Sequence, residues 1–393
     1  MVNVLLYPGL EPACAFTPSL QVLLVLRAIA MGGAVWSWPC NAAGRAAERP
    51  GRYRHVLSVR SLPRAVYRFF AARVERRHHK VLAGEHVITA RLHCSMRLVS
   101  LLLLIFLPLR ISHALAAPGQ RPDRILDVYP GLPPGALGHS SADRPSIDAY
   151  LPASNPTHTA VLVIPGGGYQ NVVADREGAA PARWLTERGV AAFVLHYRVE
   201  PYLYPAPIAD AERAMRLLRS QAATLGFAPD HFGAWGFSAG GHIASVLATL
   251  FDQGISSSPD AVEHLSDRPD FVILAYPVIS MKPEIAHAGS RQRLLGFMPD
   301  PALAALLSTE DHVTPMSPPA FLFTTNDDPV VPAQNSMLYA AASRRAGVPV
   351  ELHMFEHGPH GVDLANDIPA LHLWTTLLES WMRENHWMAP APQ

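Results

Sequence analysis

The amino-acid sequence predicts an α/β protein whose mainly parallel central sheet is flanked by helices. Two observations support this prediction. From about residue 156 onward, short apolar runs of strand length alternate with longer segments that carry apolar residues at helical spacing. A Gly-x-Ser-x-Gly sequence at 236–240 lies between one such run and the helical segment that follows it. Regular alternation of strand and helix favours parallel strand pairing.

Six apolar runs are predicted to be strands, at 160–164, 190–195, 232–236, 271–276, 320–325 and 350–355. Five segments between or after them are predicted to be helices, at 176–188, 208–225, 241–250, 333–346 and 369–383. The second helix shows the pattern best, because Ile208, Ala211, Met215 and Leu218 fall on one face. A catalytic domain over residues 156–388 is therefore expected.

Two segments depart from this alternation. Residues 117–155 are rich in Pro and Gly and are expected to be an irregular lead-in that ends in an edge strand around 147–152. Residues 279–319 lie between two predicted strands and are expected to form a long stretch of short helices and loops. A long insertion of this kind often carries functional loops, so 279–319 is expected to form a small cap-like insertion over the site.

The first 95 residues are expected to lie outside the folded protein. They carry 13 Lys and Arg residues against four Glu and no Asp, and they show no sustained helical or strand period. Residues 96–116 have the pattern of a signal peptide, with Arg97, an apolar stretch at 98–109 and an A-x-A site at 114–116. That stretch is too short to span a bilayer as a helix, so we expect an exported protein, periplasmic or secreted, without stable membrane insertion.

Composition argues against several other classes of protein. Residues 96–393 carry 19 basic and 28 acidic residues, and a mildly acidic domain does not favour a nucleic-acid partner. All three cysteines precede residue 96, so neither a cysteine nucleophile nor a thiolate metal site is expected in the folded part. The chain contains neither an H-E-x-x-H motif nor a Walker-type phosphate loop, so no metal and no cofactor are expected.

Ser238 is the candidate nucleophile. It occupies the centre of Gly236-Phe237-Ser238-Ala239-Gly240, directly after a predicted strand and before a predicted helix. A nucleophile elbow requires this strand-turn-helix context, because small neighbours let the backbone turn sharply and project the hydroxyl. The run Pro165-Gly166-Gly167-Gly168 follows the strand 160–164, so the N–H groups of Gly167, Gly168 and Ala239 are predicted to form an oxyanion hole.

The candidate acid and base follow in the order expected for a Ser-Asp-His triad. Asp327 and Asp328 come directly after the strand 320–325, and Asp328 is preferred, with Asp327 in reserve. The loop after the last strand contains His357 and His360. His360 is preferred because Gly-Pro-His-Gly at 358–361 presents it on a tight exposed turn.

These motifs resemble the carbohydrate-esterase-like, BD-FAE-like branch of the α/β-hydrolase superfamily, which includes bacterial acetylxylan and feruloyl esterases. The resemblance covers residues 144–383 and depends on Pro-Gly-Gly-Gly-Tyr at 165–169, Gly-Phe-Ser-Ala-Gly-Gly-His at 236–242, Asp-Pro-Val-Val-Pro at 328–332 and Gly-Pro-His-Gly at 358–361. It implies the α/β-hydrolase fold, and it implies that His242 and Asn335 help to shape the site. Tyr169 could cover the acyl pocket or serve as a core aromatic.

The resemblance and the ordered triad together predict a serine esterase that deacetylates a plant polysaccharide such as xylan through an acyl-enzyme. Its expected partner is a small-molecule or polysaccharide ester. A general small-ester carboxylesterase and a serine peptidase on the same fold remain as alternatives. A non-catalytic binding protein is a third alternative, because fold alone does not establish activity.

Overall fold

A computed structural model describes residues 121–391 of the chain. It contains an eight-stranded sheet whose strands are β1 (Arg124–Asp127), β2 (Ser146–Tyr150), β3 (Ala160–Ile164), β4 (Ala191–His196), β5 (Phe232–Phe237), β6 (Val272–Ala275), β7 (Ala320–Thr325) and β8 (Val350–Phe355). The predicted upstream segment 1–95 and the predicted signal peptide 96–116 lie outside the described residues.

The strands are arranged in the order β1-β2-β4-β3-β5-β6-β7-β8. β2 pairs antiparallel with both β1 and β4, and every other pair in the sheet is parallel. The predicted mainly parallel sheet is therefore confirmed. Because β3, β5, β7 and β8 run in the same direction, the loops that follow them meet at one edge of the sheet, where ligands bind in open α/β sheets.

Helices cover both faces of this sheet. They are α1 (Ala180–Thr186), α2 (Ala206–Ser220), α3 (Ala222–Leu225), α4 (Ala239–Thr249), α5 (Ala288–Leu295), α6 (Pro301–Leu306), α7 (Gln334–Ala346) and α8 (Pro369–Glu384), and a π-helical turn, Asp175–Ala179, leads into α1. Each of the five predicted helices corresponds to one or two of these elements.

The central strands are buried on both faces, which explains their continuous apolar sequences. In β3, alternate residues divide between two cores: Leu162 packs on the α2 and α4 side, whereas Val161 and Val163 pack on the α1 and α8 side. All five β3 residues are buried. Two apolar layers of this kind hold the sheet rigid, and the loops at its carboxyl edge are supported by it.

The strand predicted around 147–152 is present as β2, but the prediction that it lies at the edge of the sheet is wrong. β2 lies between β1 and β4, so the edge strand is β1. β1 escapes sequence analysis because its burial is poor: Ile125 is 67% exposed, and the four-residue strand has no apolar run. Backbone pairing with β2, rather than apolar burial, makes this segment a strand.

The insertion 279–319 contains α5, α6 and a 3-10 turn, Thr309–Asp311. Helices α5 and α6 each begin with a side-chain cap: the His287 side chain accepts a hydrogen bond from the Ser290 N–H, and the Asp300 side chain accepts one from the Ala302 N–H.

Within residues 121–391, no helix combines the length and apolar character needed to cross a membrane.

Candidate active site

Ser238 lies at a sharp turn between β5 and α4, with backbone angles φ of 50° and ψ of −116°. A positive φ is unusual for serine, and such strain costs on the order of 1–3 kcal/mol. Hydrogen bonds hold the turn: the Ser238 N–H donates to Ala275 O at 3.0 Å, and the Ser238 carbonyl accepts from Val278 N–H at 2.9 Å. Gly240 is needed because a Cβ there would collide with the carbonyl oxygen of Ile164. The turn has the geometry of a nucleophile elbow.

The structure brings the three predicted triad residues together. Ser238 Oγ lies 2.8 Å from His360 Nε2, and His360 Nδ1 lies 2.7 Å from Asp328 Oδ2. An ionised carboxylate only accepts hydrogen bonds, so Nδ1 carries the imidazole proton and its N–H donates a hydrogen bond to Asp328. The Nε2 lone pair therefore accepts from the Ser238 hydroxyl. This arrangement can take the hydroxyl proton while the oxygen attacks a carbonyl carbon.

The two consecutive aspartates after β7 pair with different histidines. The Asp328 side chain is 1% exposed, faces His360, and accepts the backbone N–H groups of residues 330 and 331 at 2.8 and 3.0 Å. Asp327 pairs instead with His357 at 2.9 Å, in an exposed position. The structure thus pairs Asp328 with His360, the preferred histidine, and pairs Asp327 with His357.

The predicted oxyanion-hole residues surround Ser238. Gly167 and Gly168 line the same cavity as Ser238, and Ala239 is the first residue of α4. Within residues 121–391, the N–H groups of these three residues donate to no protein acceptor. Gly167 has a φ of 125°, and a Cβ there would collide with the Asn171 carbonyl oxygen. The three donors, aided by the positive end of the α4 dipole, are available to stabilise a developing negative charge.

A cavity of about 490 Å³ opens onto Ser238 and His360. Most of the residues that line it carry polar side chains, and besides the triad members these are Gln170, Asn171, Arg176, Glu177, His287 and Arg293. Val173 and Val330 supply its apolar side chains. His287 and Arg293 come from the insertion 279–319, which therefore forms part of the cavity wall.

Comparison with known proteins agrees with this geometry. The BD-FAE family model matches residues 147–342 of the chain. A crystal structure of an acetyl ester-xyloside bifunctional hydrolase from Caldicellulosiruptor lactoaceticus is 40% identical with a TM-score of 0.65, and the match covers 68% of this chain and 98% of that one. The chain belongs to the BD-FAE family. The predicted resemblance and the α/β-hydrolase fold are confirmed.

Two curated proteins match this BD-FAE chain over a similar length. Endo-1,4-beta-xylanase B of Butyrivibrio fibrisolvens is 37% identical over 227 residues, which are 57% of this chain and 35% of that protein. Acetylxylan esterase of Xylanibacter ruminicola is 36% identical over 229 residues, which are 57% of this chain and 45% of that protein. The matched part of the chain therefore spans less than half the length of each of these two relatives.

Three residues named for the BD-FAE resemblance lie behind the site rather than in the cavity lining. His242 is fully buried: its Nδ1 lies 2.7 Å from the Tyr169 hydroxyl and its Nε2 lies 2.8 Å from Leu307 O. Tyr169 is thus a core aromatic. Asn335 is also buried, and its Oδ1 accepts the N–H groups of Ile279 and Ser280, where the insertion begins. These contacts connect the insertion to the core.

The buried His242 predicts that the free energy of unfolding decreases at acidic pH. Burial lowers its pKa from 6.5 to about 4, so the folded protein keeps it neutral while an unfolded chain takes up a proton below about pH 6.5. The free energy of unfolding should therefore fall as pH falls from about 6.5 to about 4, by roughly 3 kcal/mol from this group alone. Urea unfolding of wild type and His242→Gln at about pH 7 and pH 4.5 measures it. Equal losses in both proteins would contradict the assignment.

Several side chains near the site were not predicted from sequence, and four of them stand out by their positions. Glu177, His287 and Arg293 line the cavity, and the Tyr276 ring packs edge-on against the His360 ring at 5.0 Å. Each belongs to a segment with no recognisable motif. Among the described residues, His, Asp and Glu side chains form no group of three that could hold a metal ion.

Proposed function

We propose that this BD-FAE protein is an exported serine esterase that removes acetyl groups from a plant polysaccharide such as xylan. The observation that carries the proposal is the hydrogen-bonded series from Ser238 through His360 to Asp328, set beside unpaired backbone donors in an open cavity. This combination is what acyl transfer through a serine nucleophile requires.

The proposed reaction has two halves. His360 Nε2 takes the Ser238 proton as Oγ bonds to the acetyl carbon, and the carbonyl oxygen becomes an oxyanion that accepts from Gly167, Gly168 and Ala239 N–H. The bond to the sugar oxygen then breaks, and that oxygen leaves with the proton held on Nε2. In the second half, water loses a proton to the same nitrogen as its oxygen bonds to the acetyl carbon. The bond to Oγ then breaks, Oγ takes the proton back from Nε2, and acetic acid and free Ser238 are released.

Two independent observations support a carbohydrate ester as substrate. The relatives of this chain include an acetylxylan esterase and an acetyl ester-xyloside bifunctional hydrolase. The cavity lining is also suited to a sugar, because polar and charged side chains can hydrogen-bond to hydroxyl groups, whereas a long acyl chain needs an apolar wall. Val173 and Val330 are the two aliphatic hydrocarbon side chains in that lining.

The test compares four substrates with purified protein: acetylated xylan, p-nitrophenyl acetate, p-nitrophenyl octanoate and an amino-acid p-nitroanilide. Free acetate is measured for the xylan, with chemically deacetylated xylan as the matched control. We expect acetate release from xylan and a kcat/KM for the octanoate at least about tenfold below that for the acetate, because only two aliphatic side chains line the cavity to receive a long acyl chain.

The other outcomes distinguish the alternatives. Hydrolysis of p-nitrophenyl acetate without release from xylan would replace the proposal by a small-ester carboxylesterase, and cleavage of the anilide would favour a peptidase. No hydrolysis of any substrate would favour a binding protein. Amino-terminal sequencing of the natural protein tests export: a start near Ala117 is expected, and a start at Met1 would contradict it.

A further inference from the structure

A buried glutamate connects the two loops that carry the catalytic groups. Glu177 is only 5% exposed, and its carboxylate accepts two hydrogen bonds, from Gly166 N–H to Oε2 at 2.8 Å and from the Tyr276 hydroxyl to Oε1 at 2.9 Å. A buried carboxylate is costly unless hydrogen bonds satisfy its oxygens. Glu177 takes no part in any step of the reaction proposed above. A buried carboxylate at the cavity therefore calls for another role.

The first of its partners begins the oxyanion loop. Gly166 directly precedes Gly167, and a Cβ at Gly166 would lie 2.7 Å from Glu177 Oε2 and 2.9 Å from Ser238 Cβ. The backbone at Gly166 is therefore confined between the carboxylate and the nucleophile. A hydrogen bond at this point determines where the next N–H groups lie relative to the Ser238 hydroxyl.

The second partner supports the histidine. The Tyr276 ring packs edge-on against His360, and its hydroxyl accepts the N–H of Asp363 at 2.9 Å while donating to Glu177. Tyr276 is fixed in an unusual backbone conformation, with a φ of 37°, directly after β6. Through this side chain, Glu177 also holds the loop that presents His360.

The residue before Glu177 reinforces the same loop. Arg176 Nε donates to Asp363 Oδ2 at 2.8 Å, and its Nη2 donates to Gly361 O at 3.0 Å. Arg176 and Glu177 both belong to the π-helical turn. In this turn the Ala179 N–H donates to Ala174 O, five residues earlier, at 2.7 Å. Such turns are rare and often occur at functional sites.

We propose that Glu177 is a positioning residue of this esterase, which holds the oxyanion loop through Gly166 and the His360 loop through Tyr276. The inference depends on the proposed esterase activity. Burial raises the pKa of the Glu177 carboxyl, whereas the Tyr276 and Gly166 hydrogen bonds favour its ionised form. A displacement of about 1 Å in either loop would misplace a group that acts only in the transition state, so kcat should fall while KM stays nearly constant.

The experiment measures kcat and KM for p-nitrophenyl acetate in the full chain and in Glu177→Ala, Glu177→Gln, Tyr276→Phe and the Gln–Phe double variant. We expect Glu177→Ala to lower kcat about 100-fold with KM changed less than about threefold. Glu177→Gln should recover about tenfold of that loss, because its amide oxygen still accepts a hydrogen bond. The kcat of the double variant should lie no more than about twofold below that of Glu177→Gln, because both changes break the same connection, the one between residues 177 and 276.

Glu187→Gln is the matched control, since that carboxylate is 72% exposed and lies outside the cavity lining. It should keep the wild-type kcat and KM. Melting temperatures identify any variant that fails to fold, and in that case the Gln and Phe variants decide. A folded Glu177→Gln with wild-type kcat would overturn the positioning role while leaving the esterase intact, as would a rise in KM alone. A wild type inactive on the ester would overturn both proposals.

Discussion

Replacing Ser238 by Ala is expected to lower kcat for p-nitrophenyl acetate by about 10⁶-fold, the loss typical of removing a triad nucleophile. The reason is that, in the proposed reaction, Oγ is the atom that forms the acyl-enzyme, and no second hydroxyl among the residues lining the cavity can replace it. A weak residual rate should persist, because the backbone donors of the oxyanion hole remain in place.

Covalent labelling provides an independent measurement of the same prediction. A fluorophosphonate should add one phosphonyl group to the wild type, on the peptide that contains Ser238, and none to Ser238→Ala. Ser256→Ala is a suitable control because Ser256 is exposed in a loop away from the cavity lining. Equal hydrolysis by Ser238→Ala and wild type, with both proteins folded, would refute the assignment of the nucleophile.

The Asp328→Asn substitution should lower kcat by about 10⁴-fold, whereas Asp327→Asn should change it by less than about tenfold. An amide at 328 can present its NH₂ group to His360 Nδ1, which would then have to accept, leaving Nε2 protonated and unable to take the Ser238 proton. Asp327 makes its contacts at the surface, with His357 and a backbone N–H, so its charge contributes little.

These two variants differ by one position in the same loop and provide matched controls for each other. Steady-state kinetics at neutral pH, with melting temperatures for both, measures the contrast. A larger loss in Asp327→Asn than in Asp328→Asn would show that the acid was assigned to the wrong residue. Similar losses in both would show that the loop, rather than one carboxylate, controls the histidine.

Strand positions in the centre of the sheet could be predicted from the sequence alone. The predicted bounds of the central strands 160–164 and 320–325 agree with the structure, and so do those of 350–355, which lies at the edge of the sheet. Parallel strands covered by helices on both sides are continuous apolar runs, so burial is visible in the residues themselves. The edge strand β1 was missed for the opposite reason, because its pairing leaves most of its side chains in solvent.

The elbow at Ser238 could also be predicted locally, since its requirements involve neighbours in sequence. Glycine at 240 leaves room for close packing against the backbone of β3, and the strand before the serine and the helix after it are each recognisable. Local patterns further favoured Asp328, in Asp-Pro-Val-Val-Pro, and His360, in the tight Gly-Pro-His-Gly turn, over their neighbours. Which aspartate faces which histidine, however, depends on side-chain directions in two loops that are about 30 residues apart.

By itself, the sequence determined the α/β-hydrolase fold, the BD-FAE resemblance and the ordered candidates Ser238, Asp328 and His360, because each is encoded in an apolar run or a contiguous motif. Only the tertiary structure decided that Asp328 pairs with His360 and Asp327 with His357. It alone also decided that Glu177 lies between Gly166 and Tyr276. Glu177 reaches Gly166 across 11 residues and Tyr276 across 99, from a π-helical turn that no periodicity marks. Contacts of this kind arise when the sheet brings separate loops to one edge, so they are properties of packing rather than of any local segment.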